Sequence, residues 1–175
     1  MPLLRADVSS SSEGVKMKLK RIHVVAATVG LVGVGALAPV ALASPPSGFV
    51  PTNLVKADLD KTVRLNSDRI KFQTKDPTDV LVQKIVTAAG GSSGWHHHPG
   101  MVIVAIQSGT LTVWDSDCNQ TTYGPGLPNG SVFVESGGEP GLVTSTGGAT
   151  SYATFVAPSA DPPVFRIEDD AMSCS

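Results

Sequence analysis

Residues 90–109 read GGSSGWHHHPGMVIVAIQSG, and this stretch decides the fold. Its second half, residues 101–107, is a β-branched run that ends at Ser108-Gly109, a hairpin turn from which residues 110–114 return as the next strand. Its first half carries three of the chain's four histidines, His96, His97 and His98, between a glycine-rich approach and Pro99-Gly100. In an extended segment alternate side chains share a face, so His96 and His98 point one way and His97 the other. Two imidazoles about 7 Å apart on one face can converge on a single cation.

Outward from this stretch the pattern is of short strands. Residues 80–88, 131–135, 141–145 and 150–156 each read as one, separated by Gly137-Gly138 and Gly147-Gly148. Residues 55–72 alternate imperfectly and hold one or two edge strands, with Asp76-Pro77-Thr78-Asp79 as the turn that follows. Gly 18 and Pro 13 are high counts for 175 residues, and helical spacing is scarce. Regularly spaced short strands imply an all-β sandwich or barrel in one domain. Trp114 ends a β-branched strand and reads as core; Trp95 either packs there or lines a pocket.

The N-terminus reads as an export signal. Lys16, Lys18, Lys20 and Arg21 precede an apolar stretch over residues 24–38, and Ala41-Leu42-Ala43 supplies a small-x-small site before Ser44. Residues 1–43 are therefore expected to be a signal peptide cleaved after Ala43, with Met17 as a plausible true start; an uncleaved anchor is the rival. After cleavage the protein is secreted with no stable membrane insertion, and His23 is lost with the signal. The expected organisation is a flexible leader at 44–51, a barrel at 52–165 and a C-terminal tail at 166–175 lying over the barrel. The exported part has eight Lys or Arg and thirteen Asp or Glu, a formal charge of −5. This balance, without basic clusters, excludes nucleic acid as a partner. Cys118 and Cys174 both fall in the exported part, where one bridge from the tail to the loop after Trp114 is expected; a redox or metal-binding pair is the alternative.

The histidine stretch resembles the first motif of the cupin superfamily, which runs Gly, five residues, His-x-His, three or four residues, Glu, six residues, Gly. Here Gly90, His96, His98 and Gly109 keep that spacing, while Val102 stands where the Glu is expected. The second cupin motif runs Gly, five residues, Pro-x-Gly, two residues, His, three residues, Asn. Gly130, Ser136, Gly138, Gly141 and Ser145 fall on those positions, so its frame persists without its Pro, His and Asn. The resemblance spans residues 80–158. It implies a single cupin-type double-stranded β-helix, a jelly-roll barrel, whose family site holds Fe, Mn, Zn or Ni through two motif-one histidines, the Glu and the motif-two His.

Of those four ligands, His96 and His98 alone carry over; Val102 cannot bind a cation and Gly141 has no side chain. Glu139 and Glu135 are the nearest carboxylates that could complete a two-His-one-carboxylate set, and Glu139 ranks first by its proximity to Gly141. The plain alternative is a solvated histidine turn and two surface carboxylates. Two classes of function stay open. One is a secreted protein binding a divalent metal and a small molecule in the barrel mouth, with oxygenase, isomerase or lyase chemistry within reach. The other is a non-catalytic small-ligand or structural module without metal. A homodimer is compatible with either. No Gly-x-Ser-x-Gly and no phosphate-cradling loop before a helix occurs, which sets aside a serine hydrolase and a nucleotide site.

Overall fold

The computed structural model describes residues 44–174; the expected signal peptide, its cleavage site and Met17 lie outside the described residues. Twelve strands occur among these residues and no helix: β1 Ser47–Leu59, β2 Arg64–Asn66, β3 Lys71–Gln73, β4 Thr78–Ser92, β5 His96–His97, β6 Met101–Gly109, β7 Leu111–Trp114, β8 Gln120–Tyr123, β9 Val132–Glu135, β10 Leu142–Ser145, β11 Ala149–Pro158 and β12 Ile167–Glu168. With no helix present, none of the described residues forms a helix long and apolar enough to cross a membrane.

One antiparallel sheet runs β8-β7-β10-β4-β11-β6-β9, with β1 added along β4. Strand β4 joins its two halves. Thr78 to Thr87 pair with β11, while Gly91 and Ser92 at its far end pair with β10. The crossing is made where the chain is smallest, since a Cβ on Gly91 would stand 2.8 Å from the carbonyl oxygens of Gly48 and Ala88. Wrapped this way, both halves turn apolar side chains inward: Leu81, Val102, Val104, Phe133 and Phe155 from one, Leu111 and Val143 from the other. Alternation in β6 and β11 shows the same two-sidedness, with every second residue buried. The all-β barrel expected from the strand spacing and the resemblance is the architecture found.

Two boundaries differ from expectation. Residues 44–51, expected as a leader, enter β1 at Ser47, because β4 offers its free edge to them: Phe49 pairs with Thr87 and packs on the core, and Ser47 pairs with Ser92, beyond the expected end of that strand at residue 88. Residues 120–123 form β8 rather than a loop. Thr112 and Thr122 share a hydrogen bond across β7 and β8, and Tyr123 lies against Phe133 at 5.2 Å between ring centroids.

Cys118 and Cys174 form the expected disulfide, with Cα atoms 5.3 Å apart. Above it the tail crosses the histidine strand as β12, pairing Glu168 with His96 and Ile167 with His97.

Candidate metal centre

The histidine strand is fixed from three sides. Ser93, fully buried, exchanges main-chain and hydroxyl hydrogen bonds with Val143 of β10. His96 and Gly141 then form a hydrogen-bonded antiparallel pair, N to O at 3.0 and 2.8 Å. Gly138 N donates to His98 O along that same edge from the turn after β9, and on the other edge the tail closes with Asp169 N donating to Trp95 O. Alternation does the rest. His96 and His98 turn inward and are buried to 5% and 6% exposure, while His97 turns to the tail and meets both carboxylate oxygens of Asp169 at 2.9 Å.

Main-chain carbonyls set the tautomers of the two inward rings. His96 Nδ1 lies 2.8 Å from Gly94 O, and His98 Nδ1 lies 2.6 Å from Phe165 O. A carbonyl only accepts, so each Nδ1 carries a proton, and in the neutral ring it is Nε2 that presents the lone pair. Burial, with the Arg166 guanidinium adding to it and the Gly94 carbonyl opposing it, pushes the His96 pKa down to about 4, so this ring is neutral near pH 7. The two rings meet edge to face with centroids 4.8 Å apart, and Phe155 packs edgewise on His98.

The third group is Glu135. It ends β9 directly opposite Val102 of β6, so its side chain shares a face with the position where the resemblance expects a glutamate. Its Oε2 lies 3.3 Å from His98 Nε2. A Cβ on Gly141 would lie 3.9 Å from Glu135 Oε1, so the carboxylate fills the quadrant into which a side chain at 141 would project. One ligand atom from each of His96, His98 and Glu135 falls within 4.8 Å of the others.

These donors suit a cation. With both Nδ1 atoms donating to carbonyls, the groups turned towards one another are two Nε2 atoms and a carboxylate, a set that a positive charge between them, a proton or a metal ion, would satisfy. The 3.3 Å Nε2–Oε2 separation is close to the edge length spanned by two donors bound at about 2.1 Å to one ion. Two histidines and one carboxylate would hold such an ion through three protein ligands, which leaves room in its coordination for water or a small molecule.

Sequence ranking placed Glu139 in this set, and the geometry does not. Glu139 is exposed, carried away from the histidines by the Gly137-Gly138 turn that follows β9. Its place is taken by Glu135, the second carboxylate considered. Phe133 and Glu135 lie two apart on one strand, and the burial of Phe133 puts Glu135 on the inner face, a signal that alternation carries and distance along the chain does not. Trp95 is buried at 3% exposure, and Trp114 is half-buried with Nε1 donating to Thr144. Phe165, at the expected end of the barrel, and Arg166, the first residue of the expected tail, also reach the site; the sequence marks Arg166 only as the single Lys or Arg after Lys84.

Beneath the three donors lies a cavity of about 80 Å³. Its polar end holds His96, His98, Glu135 and Arg166, and its walls are apolar, with Phe133 and Phe155 among them. No protein-family model and no curated protein sequence matches the chain. Among solved structures it is similar to a cupin superfamily protein from Desulfitobacterium hafniense, at 14% identity and TM-score 0.44, over 69% of this chain and 89% of that one. It is also similar to the Cupin_2 domain of an XRE family transcriptional regulator from Enterobacter cloacae, at 16% identity and TM-score 0.42, over 65% of this chain and all of that one. A third, from Klebsiella pneumoniae, is an uncharacterized conserved protein with a double-stranded beta-helix domain, at 14% identity and TM-score 0.43, over 63% and 81% of the two chains.

Proposed function

We propose that this chain is an exported cupin-type barrel that binds one divalent cation through His96, His98 and Glu135 and takes a small molecule in the cavity beside it. The observation that carries the reading is the convergence of three acceptors within 4.8 Å, with both Nδ1 atoms already committed to carbonyls. Outer hydrogen bonds of this kind orient histidine ligands and fix their tautomer. Fe, Mn, Zn and Ni all accept such a donor set. Bound there, the cation would supply a Lewis acid with coordination positions open to the cavity. The chain's own part is to hold the imidazoles neutral, to balance half the ionic charge with Glu135, and to exclude bulk water with Phe133, Phe155 and the tail.

Export rests on the basic, apolar and small-residue sequence of residues 1–43 and on the disulfide, which oxidising compartments sustain.

Elemental analysis of protein purified without a polyhistidine tag, after exposure to each of the four metals, tests the reading. Near-stoichiometric metal is expected in the wild type and none in the His96→Ala/His98→Ala variant. A wild type that stays empty with every metal would leave a metal-free module and overturn the proposal.

A further inference from the structure

Arg166 stands at the polar end of the cavity, and the protein does not use all of it. Its Nε and Nη2 donate to the two oxygens of Glu168, and Nη2 donates again to Ser93 O at 2.6 Å. A guanidinium has five N–H donors, and these contacts occupy three. Neither N–H of Nη1 has an acceptor among the described residues. The side chain is three-quarters buried, lines the same cavity as His96, His98 and Glu135, and is the one Lys or Arg after residue 84.

Charge balance bears on what would fill that cavity. A divalent cation with two neutral imidazoles and the Glu135 carboxylate carries one net positive charge, and the Arg166–Glu168 pair carries none. A buried site of that kind favours a singly charged anion over a neutral guest. The two N–H groups of Nη1 are spaced to receive oxygen acceptors, and a planar carboxylate matches a guanidinium better than any other small anionic group. About 80 Å³, walled mostly by apolar side chains, admits a body of only a few non-hydrogen atoms.

We propose that Arg166 is a specificity-determining residue of this site and that the ligand is a small monocarboxylate, one carboxylate oxygen turned to the cation and the other to Arg166 Nη1, its apolar body between Phe133 and Phe155. This rests on the cation reading above. The tail is then part of the binding site rather than a cover for it, because it brings the guanidinium.

Calorimetry on cation-loaded protein tests the assignment with isobutyrate and its uncharged counterpart isobutyramide, after elemental analysis has shown the metal content of each sample. Isobutyrate is expected to bind the wild type and isobutyramide to bind at least about tenfold more weakly. Arg166→Met is expected to keep its metal and lose about ten- to hundredfold in isobutyrate affinity, the fold-change for losing a charged hydrogen bond. Glu168→Gln, which replaces one of the two acceptor oxygens with an NH2 group and removes the competing charge, is expected to tighten isobutyrate binding, and decides the matter should Arg166→Met fail to fold. A metal-loaded Arg166→Met that binds isobutyrate like the wild type, equal affinity for the amide, or a Glu168→Gln variant with no gain would each overturn the inference while leaving the cation site standing. A wild type without metal defeats the cation reading first, and this inference with it.

Discussion

His96 spends its one N–H on the Gly94 carbonyl and keeps its other nitrogen bare in an almost closed pocket. The same arrangement that readies it for a cation makes it refuse a proton, and refusal has a consequence for stability. In the unfolded chain the ring titrates near 6.5, whereas in the fold burial, Arg166 and His98 hold it at about 4 despite the Gly94 carbonyl. Between those two values the unfolded chain binds a proton that the folded chain does not, so stability rises with pH across that window. Metal-free protein is thus expected to keep its full stability above about pH 6.5 and to lose up to about 3 kcal/mol as pH falls towards 4. Urea unfolding at a series of pH values, for the wild type and for His96→Gln, isolates the effect from the carboxylates. The loss should appear in the wild type and be absent from the variant; parallel pH curves would show that the ring titrates normally.

At the scale of strands, the carboxylate of Glu135 stands across the register from Val102, the position where the motif of the histidine stretch would put one. Position 102 on β6 and position 135 on β9 are register partners, so a glutamate on either reaches the same side of the histidines. Val102, at 1% exposure, is core, and the carboxylate of the pair is on Glu135. Glu135→Val is therefore expected to weaken metal binding by about ten- to hundredfold, roughly the effect of disturbing a ligand set, and Val102→Glu in the same chain is expected to restore much of it. Val102→Glu alone should destabilise the metal-free protein, since it buries a second carboxylate beside the first, and should recover on adding metal. Metal titrations with a competing chelator, alongside melting curves, check all three. No rescue in the double variant would refute the equivalence of the two positions. This pairing also explains what sequence could convey. The strands at 101–107, 131–135 and 150–156, the inward pair of histidines and the disulfide were all legible, because alternation and turn residues are local signals. Register between β6 and β9 is not local, so ranking carboxylates by distance from Gly141 chose Glu139 over Glu135. The beginning of β1, residues 47–54, is illegible for a related reason: its mostly exposed residues carry little pattern of their own, and pairing along the whole of β4 holds the strand.

Across the whole molecule, the site depends on a segment that sequence reading treated as a tail. Residues 165–169 touch the histidine strand repeatedly: Phe165 O receives the His98 proton, Arg166 reaches Ser93 O, Asp169 N reaches Trp95 O, and the Asp169 carboxylate meets His97. Five residues further on, Cys174 is tied to Cys118, closing a loop with a sequence separation of 56 that includes Glu135 and Gly141. In the chain-entropy account a loop of that length stabilises the fold by about 4 kcal/mol. If that were its whole role, a Cys118→Ser/Cys174→Ser variant would melt at lower temperature yet hold metal normally while folded. The contacts of the tail argue for more, because a freed C-terminus also loosens the carbonyl that orients His98 and the arginine at the cavity mouth. Loss of an orienting partner costs about ten- to hundredfold in metal affinity. The variant is therefore expected to release metal to a chelator faster than the wild type at temperatures well below its own melting point, with secondary structure by circular dichroism unchanged. Release at the wild-type rate would show that β12 keeps its seat without the bridge, and would confine the disulfide to its effect on the unfolded chain.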